Sequence, residues 1–190
     1  MRTNYKILCI GLGKLGLVFS QVLAEKVGPT FGYDVNKETI LSIKKNKKSI
    51  EPKLNSLLKK NKKKFKIINN LSNGINSTNG AFLILPTPSK KNNEYDNSYL
   101  EKSLIQIGPY LKNKKEYLIN ITSTVNPGSC EYFIKMMEKK FNLIHGKNFI
   151  LTYNPHLIAL GSIYNDILNS DLVLIGSNNE KGFKILKNIY

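Results

Sequence analysis

A doubly wound α/β fold, a mostly parallel sheet with helices on both faces, is what this 190-residue sequence predicts. Short apolar runs alternate with segments of helical periodicity along its length, the pattern of strands joined by crossover helices. The first run, Tyr5-Lys6-Ile7-Leu8-Cys9-Ile10, leads straight into Gly11-Leu12-Gly13-Lys14-Leu15-Gly16, where a helical pattern opens. Asp34 closes the next apolar run, eighteen residues beyond Gly16. Strand, glycine turn, helix, strand and acid in this order lay out a dinucleotide site of the Rossmann type.

The first strand is read over 5 to 10. A helix from about 14 to 27 follows and stops at Gly28-Pro29. Strand two covers 30 to 34, a helix runs from about 37 to 46, and Ile50-Glu51-Pro52 starts a short helix to about Lys60. Phe65 to Ile68 form strand three and Leu71 to Ser77 a short helix. Ala81 to Leu85, apolar throughout, reads as a central strand four. Pro86-Thr87-Pro88 ends it, because proline donates no ladder hydrogen bond and restricts the residue before it. The polar stretch Ser89 to Asn97 is then a flexible loop at the carboxyl edge of the sheet. A helix from Ser98 to Leu111 leads to strand five, Glu116 to Ile121, and the polar turn Ser123-Thr124-Val125-Asn126-Pro127-Gly128 enters a helix reaching about Lys140. Phe149-Ile150-Leu151 is strand six, Leu172 to Ile175 a further short strand, and the last helix starts near Asn179. No repeat or linker divides the chain, so 1–190 is expected to be a single domain.

Charge is the feature that misleads. The formal net charge is +16 and the isoelectric point about 9.7, values that suggest nucleic acid or an anionic membrane. Yet Arg2 is the only arginine, and base and phosphate recognition favours the arginine fork. The dense runs Lys44 to Lys48 and Lys59 to Lys64 fall on or beside surface helices, where a solvated face explains them. A nucleic-acid partner is therefore not expected. No apolar run approaches the roughly 18 residues of a membrane span, and no signal-peptide core is present, which points to a cytoplasmic protein without a membrane partner. Cys9 and Cys130 suit a reducing compartment, Cys9 as a small core hydrophobe; no metal site is expected.

Gly11 permits the tight turn, Gly13 lets backbone approach a pyrophosphate, Gly16 lets helix and strand pack closely, and the helix-start amides around Lys14 and Leu15 hold negative charge. Asp34 takes the adenosine ribose hydroxyls and repels a 2′-phosphate, so NAD is favoured over NADP. In a 3-2-1-4-5-6 strand order, the glycine loop, Pro86–Pro88 and Ser123–Gly128 lie side by side. Thr87, beside Pro86, then reaches the cofactor's sugar or phosphate, and Thr124 stands near the nicotinamide. The competing reading for each threonine is a hydroxyl that caps the next helix.

Taken together, these segments resemble the NAD-binding domain of the UDP-glucose/GDP-mannose dehydrogenase family, over nearly the whole chain. The resemblance rests on Gly11 to Gly16, Gly32-Tyr33-Asp34, Ile50-Glu51-Pro52 with Leu57-Leu58, and Pro86-Thr87-Pro88 followed by Asp96, Ser98, Tyr99 and Leu100. It continues through Ser123-Thr124-Val125, Pro127-Gly128, Tyr153-Asn154-Pro155, Gly161-Ser162, Asp166 and Ile175-Gly176. It implies a four-electron oxidation of a UDP- or GDP-linked sugar with two NAD molecules, through a thioester on a cysteine, with Thr124 helping to place a water. The family's catalytic lysine, nucleophilic cysteine, central dimerisation helix and sugar-nucleotide domain are expected beyond Tyr190, so this chain is expected to be inactive by itself and its full-length parent a homodimer. The family's Asn-Pro-Glu motif carries an acid-base glutamate where this chain has His156. Leu160 stands where an acid is common and Leu172 where an arginine is frequent. His156 has two readings: a base that preserves the proton transfer, or a residue of a decayed site, one that merely caps a neighbouring helix included.

Overall fold

The computed structural model describes residues 5–45, 51–156 and 158–190. Arg2, Ile50, the end of the helix expected to reach 46 and the distal part of the Lys44–Lys48 run lie outside the described residues. Six strands form one sheet: β1 (Ile7–Ile10), β2 (Thr30–Tyr33), β3 (Phe65–Ile67), β4 (Gly80–Leu83), β5 (Tyr117–Ile121) and β6 (Phe149–Tyr153). Their order is β3-β2-β1-β4-β5-β6, and every pairing is parallel. The order reverses between β1 and β4, which opens a crevice at the carboxyl ends of these strands.

The helices are α1 (Lys14–Lys26), α2 (Lys37–Lys44), α3 (Leu54–Lys60), α4 (Leu71–Ser77), α5 (Ser98–Ile107), α6 (Ser129–Phe141), α7 (Ile163–Leu168) and α8 (Glu180–Ile189). Strand side chains alternate between two cores because their period is two. Leu8, Ile10, Leu83, Ile119 and Ile121 bury against α4, α5 and α6, while Ile7, Cys9, Phe82, Leu118 and Ile150 face α1, α3, α7 and α8. Burial of one large apolar side chain contributes roughly 1.5–3 kcal/mol. An exposed ion pair such as Lys60–Glu25, at 2.8 Å, adds only about 0–1 kcal/mol, so the two cores hold the layers together. Among the described residues no helix is long and apolar enough to cross a membrane.

Three local expectations need correction and a fourth gains detail. Leu172 to Ile175 forms no strand: Leu172 is 63% exposed, and among the described residues the ladder contact nearby is a single antiparallel bridge between Tyr153 and the following residue, Gly176. Four apolar residues do not make a strand where the sheet offers no ladder. The fifth helix ends at Ile107 rather than Leu111, because Pro109 has no amide to continue it and the chain tightens into a 3-10 turn over Gly108–Tyr110. Gly108 also admits the Phe141 ring, which a Cβ there would meet at 2.3 Å. The loop expected over Ser89–Asn97 folds back on itself as a short hairpin, with an antiparallel bridge between Ser89 and Tyr95 and a left-handed Asn93 at its turn. Finally, α7 was not expected; Ser162 Oγ donates to Asp166 Oδ2 at 2.7 Å across its first turn.

Candidate functional site

The glycine loop sits at the carboxyl end of β1, wedged between the ends of β2 and β4. Gly11 has φ +96°, and a Cβ on it would lie 2.2 Å from the Ile84 carbonyl oxygen. A Cβ on Gly16 would lie 1.9 Å from the Gly11 carbonyl oxygen, which is how α1 packs so closely on its own entry turn. Gly13 differs: its φ is −65°, it is exposed, and a Cβ would meet nothing within 4 Å. Nothing in the fold demands a glycine there, so the space above it is what its missing side chain preserves. No side chain caps the start of α1 and no acid occupies its first turn. The amides about Lys14 and Leu15 thus face outward beneath that space, at the positive end of a 13-residue helix.

Asp34 follows β2 and leans over this loop. Its Oδ2 accepts the Leu12 amide at 2.7 Å and its Oδ1 the Asn36 amide at 2.8 Å. Asn36 in turn caps α2 by accepting from Glu38 and Thr39. A carboxylate offers about four lone-pair sites, so two backbone bonds leave capacity for a diol. Beyond Asp34 a groove of about 430 Å³ is lined by Val35, Ile40, Leu41 and Ile68. Val35 is 74% exposed and Leu41 53%, apolar walls of the kind a purine ring covers. An uncluttered pyrophosphate cradle, an acid at ribose distance in the chain order and an apolar slot beyond it fit NAD.

The other two turns are clipped into one surface. The Ser123 hydroxyl accepts from the Leu85 amide at 2.9 Å and donates to the Leu85 carbonyl at 2.6 Å, which ties the end of β5 to the chain leaving β4. Asn126 exchanges two 3.0 Å hydrogen bonds with the backbone of Tyr95, so the hairpin folds back on the same turn. Pro86 is exposed and Thr87 half-buried between these clips, and Thr124 is exposed beside them. The capping alternative fails for both threonines, because Asn97 and Gly128 precede α5 and α6. Among the described residues neither threonine hydroxyl has an intramolecular partner, so both are free to meet a ligand. Ser123 and Asn126 were read only as parts of the polar turn Ser123–Gly128, Ser123 also within the motif Ser123-Thr124-Val125, and neither was given a role of its own.

His156 lies past the end of β6 and turns inward. Its ring stands edge-on to Phe19 of α1 at 4.7 Å, and its Nε2 is 2.7 Å from the Tyr190 hydroxyl. It caps no helix among the described residues, which removes that reading. Burial pushes its pKa down to about 4, so it is neutral at physiological pH. Leu160 and Leu172 are both 63% exposed. Glu51, from the segment before α3, is buried and its Oε1 accepts the Gly161 amide at 2.5 Å, which joins two motifs 110 residues apart in sequence. Burial drives the thiols of Cys9 and Cys130 upward, Cys130 to about 11, so both stay protonated.

Comparison with known proteins matches this geometry. The description "UDP-glucose/GDP-mannose dehydrogenase family, NAD binding domain" fits residues 5–190. UDP-glucose 6-dehydrogenase of Rickettsia typhi is 32% identical over 189 residues, spanning 97% of this chain and 42% of its own. UDP-N-acetyl-D-mannosamine dehydrogenase of Methanocaldococcus jannaschii is 30% identical over 200 residues, again with 97% and 42% covered. The crystal structure of GDP-mannose dehydrogenase from Pseudomonas aeruginosa superposes with a TM-score of 0.90 at 25% identity, covering all of this chain and 44% of that one. The chain thus spans about 42% of the length of these curated relatives. Its strand order, its glycine cradle and these likenesses agree: the chain belongs to the UDP-glucose/GDP-mannose dehydrogenase family, in its NAD-binding domain, and its cofactor is NAD.

Proposed function

We propose that this chain is the NAD-binding part of a nucleotide-sugar 6-dehydrogenase, an oxidoreductase that converts the C6 hydroxyl of a UDP- or GDP-linked sugar to a carboxylate. The observation that carries the cofactor half is the open space over Gly13, a glycine for which the fold has no other use. Gly11, Gly13 and Gly16, with the amides about Lys14 and Leu15, take the pyrophosphate; Asp34 takes the ribose diol; Pro86 and Thr87 cover the cofactor as it crosses β4. Thr124 orients a water at the nicotinamide end, and His156, neutral, accepts its proton. Bound NAD supplies the hydride acceptor. The sugar nucleotide is held with help from chain beyond these 190 residues, the longer parent pairs as a homodimer, and the two free thiols suit work in the cytoplasm.

A second reading, an NAD-binding or assembly module that performs no oxidation, is favoured by one group of facts. Cys9 is fully buried, Cys130 stays protonated, and His156 is turned inward. A thiol without a thiolate is a poor nucleophile, so the thioester step has no candidate in this chain. Calorimetry on the purified chain separates the outcomes. NAD is expected to bind, with NADP weaker by about tenfold or more, near 1.4 kcal/mol, from repulsion at Asp34. No heat at millimolar NAD overturns the cofactor assignment. With UDP-glucose and NAD together, the chain by itself is expected to form no NADH; steady NADH formation overturns the module reading.

A further inference from the structure

We infer that Tyr190, anchored by Asn154, holds His156 as the tautomer protonated on Nε2 and so makes Nδ1 the imidazole's basic atom. Asn154 is 1% exposed, and its Nδ2 donates to the Leu174 carbonyl at 2.7 Å. A carbonyl can only accept, so the amide orientation is fixed and Oδ1 is the atom 2.5 Å from the Tyr190 hydroxyl. Oδ1 also can only accept, and the single phenolic proton therefore goes to it. The same phenolic oxygen lies 2.7 Å from His156 Nε2 and has only a lone pair left to offer. Nε2 must bring the proton. A phenol keeps its proton near neutral pH, so Tyr190 remains a donor, and the edge-on Phe19 ring fixes the plane of the imidazole.

The consequence concerns direction. A carboxylate at position 156, as in the family's motif, has two equivalent oxygens, whereas an imidazole has two unlike nitrogens and works only when the correct one is free. Tyr190 is thus a positioning residue, acting on the reaction through His156. The catalytic weight of Nδ1 rests on the proposed role of His156; the tautomer itself does not.

The test uses long-range proton–nitrogen correlation spectra of the imidazoles in the 190-residue chain, which has two histidines. His145 is an internal reference of opposite sense, because its Nε2 accepts the Leu151 amide at 3.1 Å and its proton must sit on Nδ1. Near neutral pH, His156 is expected to show a protonated Nε2 and a bare Nδ1, with His145 reversed. In Tyr190→Phe the His156 preference is expected to collapse toward a mixture while His145 is unchanged. A bare Nε2 on His156, or an unaltered pattern in Tyr190→Phe, overturns the proposal; should that variant not fold, the wild-type spectrum decides. Titration of NAD into the same sample is read separately. Absence of NAD-induced shifts with the tautomer intact sinks the cofactor role and leaves this assignment standing.

Discussion

A methyl group on Gly16 would collide with the Gly11 carbonyl at 1.9 Å, while one on Gly13 would touch nothing. The three glycines of one motif therefore answer to different forces, and substitution separates them. Gly16→Ala is expected to lower unfolding free energy by about 1–3 kcal/mol, the usual range for overpacking. Gly13→Ala is expected to leave stability within about 0.5 kcal/mol, since φ −65° suits any residue, yet to weaken NAD by at least about tenfold. Denaturant melts and calorimetry on both variants check this; a Gly13→Ala protein with wild-type NAD affinity would remove the pyrophosphate from this loop. The loop and Asp34 were legible in sequence because backbone geometry there admits few residue types. Ser123 and Asn154 stood in motifs, but their partners were not legible, nor was Tyr190, since a hydroxyl or amide bonds whatever the tertiary fold brings near, and neither periodicity nor spacing encodes that neighbour.

At the level of elements, β6 is an edge strand, and its outer amides are covered one at a time. Leu151 donates to His145 Nε2 and Tyr153 to the Gly176 carbonyl. Burial holds the pKa of His145 below its ordinary value, with Glu138 opposing the shift and Phe149 edge-on to the ring. The unfolded chain takes up protons near pH 6.5, before either folded histidine does. Their contribution is thus complete above that pH and declines as pH falls toward the folded values, about 4 for His156. For His156 the full loss is on the order of 3 kcal/mol. Glu25, Asp96 and Asp166 have lowered pKa values, so their contributions vanish only at lower pH and do not share this window. Urea midpoints are expected to drop from pH 7.5 to 5, with lower protection of the Leu151 amide relative to its intrinsic exchange rate at each pH, and His145→Gln to flatten part of the slope. A midpoint constant over that range would refute the account. The strands themselves were readable, because continuous apolar runs between breakers describe a buried parallel sheet. The misreading of Leu172 to Ile175 has a physical origin: composition reports apolarity, and with the β6 edge already occupied those residues pack as an irregular crossing segment.

For the molecule as a whole, parallel topology sorts charge between the two ends of the sheet. Lys26, Lys62 to Lys64, Lys112, Lys115 and Lys147 all lie exposed in segments that enter strands, which places them at the amino edge, opposite the glycine loop. Lys14, Lys37, Lys90 and Lys91 stand exposed at the other end, nearer the glycine loop, so these seven form a separate basic face, whose steering of an anionic dinucleotide is long-range and weak across a Debye length of about 8–10 Å. Such a lysine face, without arginine forks, attracts polyanions only by counterion release. Any retention of duplex or single-stranded nucleic acid at about 50 mM salt is expected to disappear by about 200 mM, a loss of roughly 10³-fold or more for six or more phosphate contacts. NAD places only two phosphate charges, and those on backbone amides, so its affinity is expected to change by no more than about threefold over the same interval. Parallel titrations at the two salt concentrations decide the point. Sequence-selective nucleic-acid binding that survived the higher salt would require base contacts that this lysine face does not supply, and would overturn the reading of its charge as a solvated surface.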